Sequence, residues 1–189
     1  MSRLYAMANG GFCKIVLLAA VLALPTSAIA QSTGAVKVGK YTNLPLPRFV
    51  SLKAQKVNMR VGPGKEYAVA WRYEKAGMPL EIIQEFDNWR RVRDVAGDTG
   101  WIHKSLLSGS RAGITTPWQT GNGEGVGLYD EPAGEATRLA FLKPGVIGKL
   151  PECDGIWCRM EVQTPNGRTL RGFVSQADLW GAYPDEQFD

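Results

Sequence analysis

Histidine is almost missing from this chain. His103 is the only one in 189 residues, so no multi-histidine metal site can form. Three cysteines are too few for a four-thiolate zinc site, and no C-x-x-C pair suggests a redox motif. No apolar run reaches the roughly 20 residues that a membrane-spanning helix needs. The length excludes a large multi-domain enzyme and leaves room for one ordinary domain or two very small ones. With 44% apolar and 21% charged residues, neither disorder nor a coiled coil is expected. What the chain does carry is turn and strand chemistry, with 22 Gly, 11 Pro and 6 Trp.

The start of the chain is a targeting pattern. Arg3 and Lys14 flank an acid-free leader, Ile15 to Leu24 is an apolar run of about ten residues, and Pro25 and Thr26-Ser27-Ala28-Ile29-Ala30 follow. Ala28 and Ala30 fit an A-x-A cleavage site, so residues 1–30 are expected to be a cleaved signal peptide of a periplasmic or otherwise exported protein. The competing reading is an uncleaved anchor, for which the run is too short. Cys13 precedes the apolar run and so cannot be a lipoprotein cysteine. Cleavage leaves 189 − 30 = 159 residues with 20 basic and 18 acidic side chains, a balance of +2. Such a weak charge with interspersed signs is no nucleic-acid footprint, and no stable membrane span is expected after cleavage.

Cleavage also makes the cysteine count even. Cys153-Asp154-Gly155-Ile156-Trp157-Cys158 places Asp-Gly between apolar segments, a hairpin signal that sets the two thiols across a four-residue loop. In an oxidising compartment this favours a Cys153–Cys158 disulfide.

The chain repeats itself at an offset near 70 residues. Val57-Asn58-Met59-Arg60-Val61-Gly62-Pro63 is answered by Val126-Gly127-Leu128-Tyr129-Asp130-Glu131-Pro132. Asn88-Trp89-Arg90-Arg91-Val92-Arg93 is answered by Ile156-Trp157-Cys158-Arg159-Met160-Glu161, and Gly100-Trp101-Ile102 by Gly172-Phe173-Val174. The offset is 69 at the prolines, 68 at the tryptophans and 72 at the Gly-aromatic pairs, so short insertions separate the copies. Each copy reads as four or five short strands with period-2 alternation. The predicted core is Val57, Met59, Ile82, Val92, Ile102 and Leu107, with Leu128, Leu150, Met160, Val174 and Leu179 as counterparts. A unit of about 55 residues is marginal alone. Barrel closure, packing of two units and a disulfide would each offset that.

The first copy has a hydrophobic-Asn-x-Arg-x-Gly-Pro opening, a Pro-Leu-Glu-Ile strand, a Trp-x-x-Val strand and a closing Gly-Trp-Ile-x-x-x-x-Leu. It resembles a bacterial SH3-like domain, and the whole chain resembles an exported bacterial protein with two such domains in tandem. The resemblance implies an all-β fold of two small SH3-like barrels. The expected organisation is signal peptide 1–30, N-terminal arm 31–50, barrel 51–108, linker 109–124, barrel 125–181 and a frayed acidic tail 182–189. Leu44 to Val50 is expected to lie along the first barrel, and Trp118 to pack where the barrels meet. The second copy replaces Asn-x-Arg-x-Gly-Pro with Gly127 to Pro132, which suggests a structural role only.

No catalytic constellation, metal set or cofactor motif stands out. A cysteine hydrolase needs a nucleophile and a base, and the sole candidate base is His103, read here as an exposed turn residue. Carboxylates such as Glu81, Glu85, Asp87 and Asp94 occur on any soluble domain. The aromatic positions say more. Trp89 alternates with Val92 and shares its strand face with Arg91 and Arg93, the pairing of aromatic area and forked donors found on recognition surfaces. The candidate ligand residues are Arg60, Trp89 and Arg91, with Tyr67 and Trp71 flanking the loop after Gly62-Pro63-Gly64. The other reading has Trp89 and Trp157 covering a neighbouring strand or barrel. Trp89 resembles the tryptophan that lines the ligand groove of eukaryotic-type SH3 barrels, but Arg60, His103 and Leu106 stand where that resemblance implies aromatics or proline. The family resemblance implies a noncatalytic envelope module that recognises peptidoglycan peptides or an envelope protein. A structural scaffold is the alternative, and an envelope hydrolase is disfavoured.

Overall fold

Alternation decides the strands. In the computed structural model, which describes residues 37–116, Trp118, Gly121 and residues 123–189, Val57 and Met59 are buried while Asn58 and Arg60 face outward. The expected signal peptide and the first residues of the arm lie outside the described residues. The first sheet is built from β1 (Arg48–Leu52), β2 (Val57–Arg60), β3 (Val69–Tyr73), β4 (Pro79–Phe86), β5 (Trp89–Arg93), β6 (Thr99–His103) and β7 (Leu107–Ser108). The second is built from β8 (Ala112–Thr115), β9 (Val126–Tyr129), β10 (Arg138–Leu142), β11 (Ile147–Asp154), β12 (Trp157–Gln163), β13 (Thr169–Ser175) and β14 (Leu179–Trp180), with β15 (Gln187–Phe188) added on β11. The strand orders, β3-β2-β6-β5-β4-β1-β7 and β10-β9-β13-β12-β11-β8-β14, correspond element for element. All described pairings are antiparallel, and no α-helix occurs among the described residues.

Each curled sheet closes over its own core. All eleven predicted core residues are buried, six in one cluster and five in the other. Leu80 and Tyr73 join the first cluster, Leu142 and Val162 the second. A fully buried aliphatic side chain contributes about 1.5–3 kcal/mol.

The barrels begin earlier than the repeat suggests. Arg48–Val50, expected in the arm, is the start of β1, and Ala112–Thr115, expected in the linker, is β8. Both hide in turn-rich composition. Gly113 reads as a linker glycine, yet a Cβ there would sit 2.9 Å from Leu150 Cδ1, so its bareness lets a core leucine pack. The connection between the barrels thus shrinks to residues 109–111. Trp118, expected to pack where the barrels meet, is instead 52% exposed.

The tail is also anchored rather than frayed. β15 pairs with β11 through Cys153↔Phe188 and Asp154↔Gln187, while Arg111 holds Glu186 with Nη1–Oε1 2.9 Å and Nη2–Oε2 2.7 Å. The Arg111 guanidinium also lies 4.2 Å from the Phe188 ring centroid. From this strap Tyr183 reaches the first barrel, donating its hydroxyl to Glu81 Oε1 at 2.9 Å, and Phe49 packs between Tyr183 and Trp180 at 4.7 and 4.9 Å.

The hairpins β4–β5 and β11–β12 share a turn but not a closure. Glu85 faces Arg90 across the first, and at the matching rung of the second Cys153 faces Cys158, joined at disulfide distance. Glu85 accepts from Thr42 Oγ1 (2.6 Å), Arg48 Nη2 (2.9 Å) and the backbone N–H groups of Tyr41 and Thr42 (3.0 and 3.1 Å). Burial alone would raise its pKa. The hydrogen bonds from Thr42, Arg48 and Tyr41, with the nearby Arg90, outweigh burial and hold it at about 2.

Candidate functional site

The outward face of the first sheet carries the candidate residues. Antiparallel pairing sets Arg60 opposite Trp101 and Trp101 opposite Arg91, so Arg60, Trp101 and Arg91 form one cross-strand row. The next row pairs Phe86 with Trp89 and Trp89 with His103. The ring centroids of Trp89 and His103 are 5.4 Å apart, edge to face, and those of Phe86 and Trp101 are 6.5 Å apart. Trp89 is half-buried, as its alternation against Val92 requires, and Arg91 is exposed.

Trp89 and His103 line an open groove of about 220 Å³ with Lys56, Asn58, Arg60, Lys65 and Leu106. Arg60, His103 and Leu106, the three residues that break a polyproline pattern, are thus together on its wall. Tyr67 lies over Gly62, and its carbonyl accepts from Arg60 Nη1 at 2.6 Å. Arg91 stands beyond the groove on the same sheet face, with a 3.4 Å contact to Thr99 Oγ1. Among the described residues neither Arg60 nor Arg91 is in an ion pair. Trp71 is not brought to this face: it pairs with Met59 on edge strand β3, on the side of the sheet away from Asn58 and Arg60, and is 57% exposed.

His103 is the last residue of β6, not a turn residue. Its Nδ1 accepts from the Ser105 N–H at 3.3 Å and lies 2.8 Å from Ser105 Oγ, which caps the one-turn 3-10 helix Lys104–Leu106. Sequence reasoning did not select Lys56, Lys65, Trp101, His103 or Phe86 for the site. Alternation could have found Trp101 and His103, since Ile102 between them is inward.

The second barrel carries a groove in the same place, although its degenerate opening suggests a structural copy. It is larger, about 460 Å³. Gly125, Gly127 and Tyr129 occupy the positions of Lys56, Asn58 and Arg60, Trp157 that of Trp89, Ser175 that of His103 and Asp178 that of Leu106. Phe141, opposite Gly127, occupies the position of Arg72, opposite Asn58. Tyr129 and Trp157 meet edge to face at 5.8 Å. In this barrel the counterpart of Arg91, Arg159, is paired with Glu152 at 3.2 Å.

Two antiparallel sheets of seven and eight strands, each curled around its own core and sharing one seven-strand order, define a tandem SH3-like barrel protein. The chain belongs to the bacterial SH3 domain family, which it matches twice, over residues 53–109 and 122–181. Domains of this family are typically cell-wall binding modules. No curated protein matches the chain. Solved structures that align with it include those of NlpC2 and NlpC1 from Trichomonas vaginalis, each at 13% identity and a TM-score of 0.29. The alignments cover 71% and 75% of this chain and 48% of each of those, so the chain spans about half their length. No helix among the described residues is long and apolar enough to cross a membrane.

Proposed function

We propose that the protein is a noncatalytic module of the cell envelope whose first barrel binds carboxylate-bearing peptides of peptidoglycan. The observation that carries this reading is the row Arg60–Trp101–Arg91 beside Trp89 and His103, cationic and aromatic and, among the described residues, without a carboxylate partner for either arginine. A guanidinium fork matches a carboxylate, and Trp89 offers a flat apolar surface to an aliphatic stem. Tyr67 belongs to this site through its contact with Arg60. Trp71 supports no contact with it.

The test is sedimentation of the mature protein with isolated cell wall. Retention that falls in Arg60→Ala/Arg91→Ala supports the reading. Failure of the wild-type protein to sediment removes peptidoglycan as the ligand and favours an envelope protein or a scaffolding role. Export is part of the same proposal. Intact mass of protein recovered from the envelope fraction is expected to place the first residue at Gln31, and a chain that keeps residues 1–30 overturns it.

A further inference from the structure

The two grooves differ most in charge. Among the described residues, the first is lined by Lys56, Arg60 and Lys65 with no acidic residue, the second by Glu124 and Asp178 with one base, Arg138. The loop after β9 adds Asp130, Glu131 and Glu135 and no base, whereas the loop after β2 contains Lys65 and Glu66. A carboxylate ligand suited to the first groove is therefore repelled at the second.

The apolar walls differ as well, and two glycines make the difference. A Cβ on Gly127 would lie 2.5 Å from Tyr129 Oη and 2.6 Å from its ring, and a Cβ on Gly125 would lie 2.7 Å from Phe141 Cε1. Gly125 also has φ 146°, a conformation other residues rarely adopt. The bare backbone thus seats the two rings, and Trp157 stands against Tyr129 as a third. The Arg138 guanidinium already lies 5.8 Å from the Phe141 ring centroid, so a wall of this groove holds a cation from the chain itself. Rings beside carboxylates favour a side chain with an aliphatic stem and a cationic head: the stem packs on the rings while the head gains Coulomb and cation–π attraction.

We propose that the second barrel's groove is a separate binding site for a cationic peptide segment. A lysine or arginine side chain enters among Tyr129, Phe141 and Trp157 with its charge toward Glu124 and Asp178. The chain then carries two ligand sites of opposite charge preference in one repeated frame.

Calorimetric titration of the mature protein with an acetylated, amidated tetralysine peptide tests this, with tetraglutamate as the opposite probe. Tetralysine is expected to bind with an affinity that falls as salt rises. Glu124→Gln/Asp178→Asn, which keeps side-chain shape, is expected to weaken it about fivefold or more, as is Gly127→Ala, which displaces the Tyr129 ring. Trp89→Ala in the first barrel is expected to leave it unchanged. Thermal unfolding of each variant separates loss of the site from loss of fold. No tetralysine binding, binding that survives Glu124→Gln/Asp178→Asn, or equal loss in Trp89→Ala overturns the proposal. None of these outcomes bears on carboxylate binding by the first barrel.

Discussion

At one rung of the repeated hairpin, the first barrel places a buried ion pair and the second a disulfide. Glu85–Arg90 and Cys153–Cys158 hold the same ladder position, each just inside a two-residue tip where Asp87 (φ 46°) answers Gly155 (φ 99°). Each closure is also where a flanking segment is fastened. Glu85 gathers Tyr41, Thr42 and Arg48 from the N-terminal segment, whereas Cys153 pairs with Phe188 of the tail. A ladder of backbone hydrogen bonds does not specify what joins the side chains above it. One fold can therefore cross-link the same hairpin electrostatically or covalently, provided the buried charges are fully satisfied.

Breaking the two closures separately should give unequal effects, and the ion pair should matter more. Glu85→Ala leaves Arg90 buried without its carboxylate and unfastens Thr42, so a loss of about 3–5 kcal/mol in urea unfolding is expected. A loss below 1 kcal/mol would mean that the cluster is not needed to hold the hairpin. The same carboxylate makes the first barrel acid-sensitive. Its folded pKa of about 2 lies below the unfolded value of 4.5, so its contribution is complete above about pH 4.5 and disappears as pH falls toward 2. Glu85→Gln is expected to flatten stability across that window, and an unchanged pH profile would assign the acid response to other groups.

Opening the covalent closure should cost less. The Cys153–Cys158 loop is so short that loop entropy assigns the bridge only about 2 kcal/mol. Cys153→Ser/Cys158→Ser should lower stability by that amount at neutral pH and leave the pH 2–4.5 profile unchanged. Alkylation of envelope-derived protein without reductant is expected to label neither thiol. Ready labelling would show that the bridge does not form in the cell.

A smaller effect distinguishes the grooves. Trp89→Ala is expected to weaken wall binding by more than about 1 kcal/mol while leaving the melting temperature within a few degrees, as a partly exposed hot-spot residue would. Trp157→Ala should change wall binding less, because its groove has the opposite charge preference. If Trp89→Ala unfolds the protein while binding per folded molecule is unchanged, Trp89 is a packing residue. The smallest effect is expected at Trp71, on the other side of the sheet. Trp71→Ala should leave wall binding unaltered, and a loss comparable to that of Trp89→Ala would extend the binding surface around the edge of β3.

The repeated frame is legible along the chain alone. Inward and outward positions follow from a period of two, so the core and the outward setting of Trp89 and Arg91 were readable along the chain. Asp-Gly between the cysteines likewise carried the hairpin, because turn chemistry spans only a few residues. Tertiary structure decided what no local window contains. Thr42 meets Glu85 across 43 residues, Glu186 meets Arg111 across 75, and Tyr183 meets Glu81 across 102. These long pairings turned an expected arm and tail into fastened segments and brought the two barrels into contact. The second groove was hidden for the same reason: Gly125 and Gly127 read as loss of a motif. Only the folded sheet shows that removing two side chains makes room for the rings of Phe141 and Tyr129.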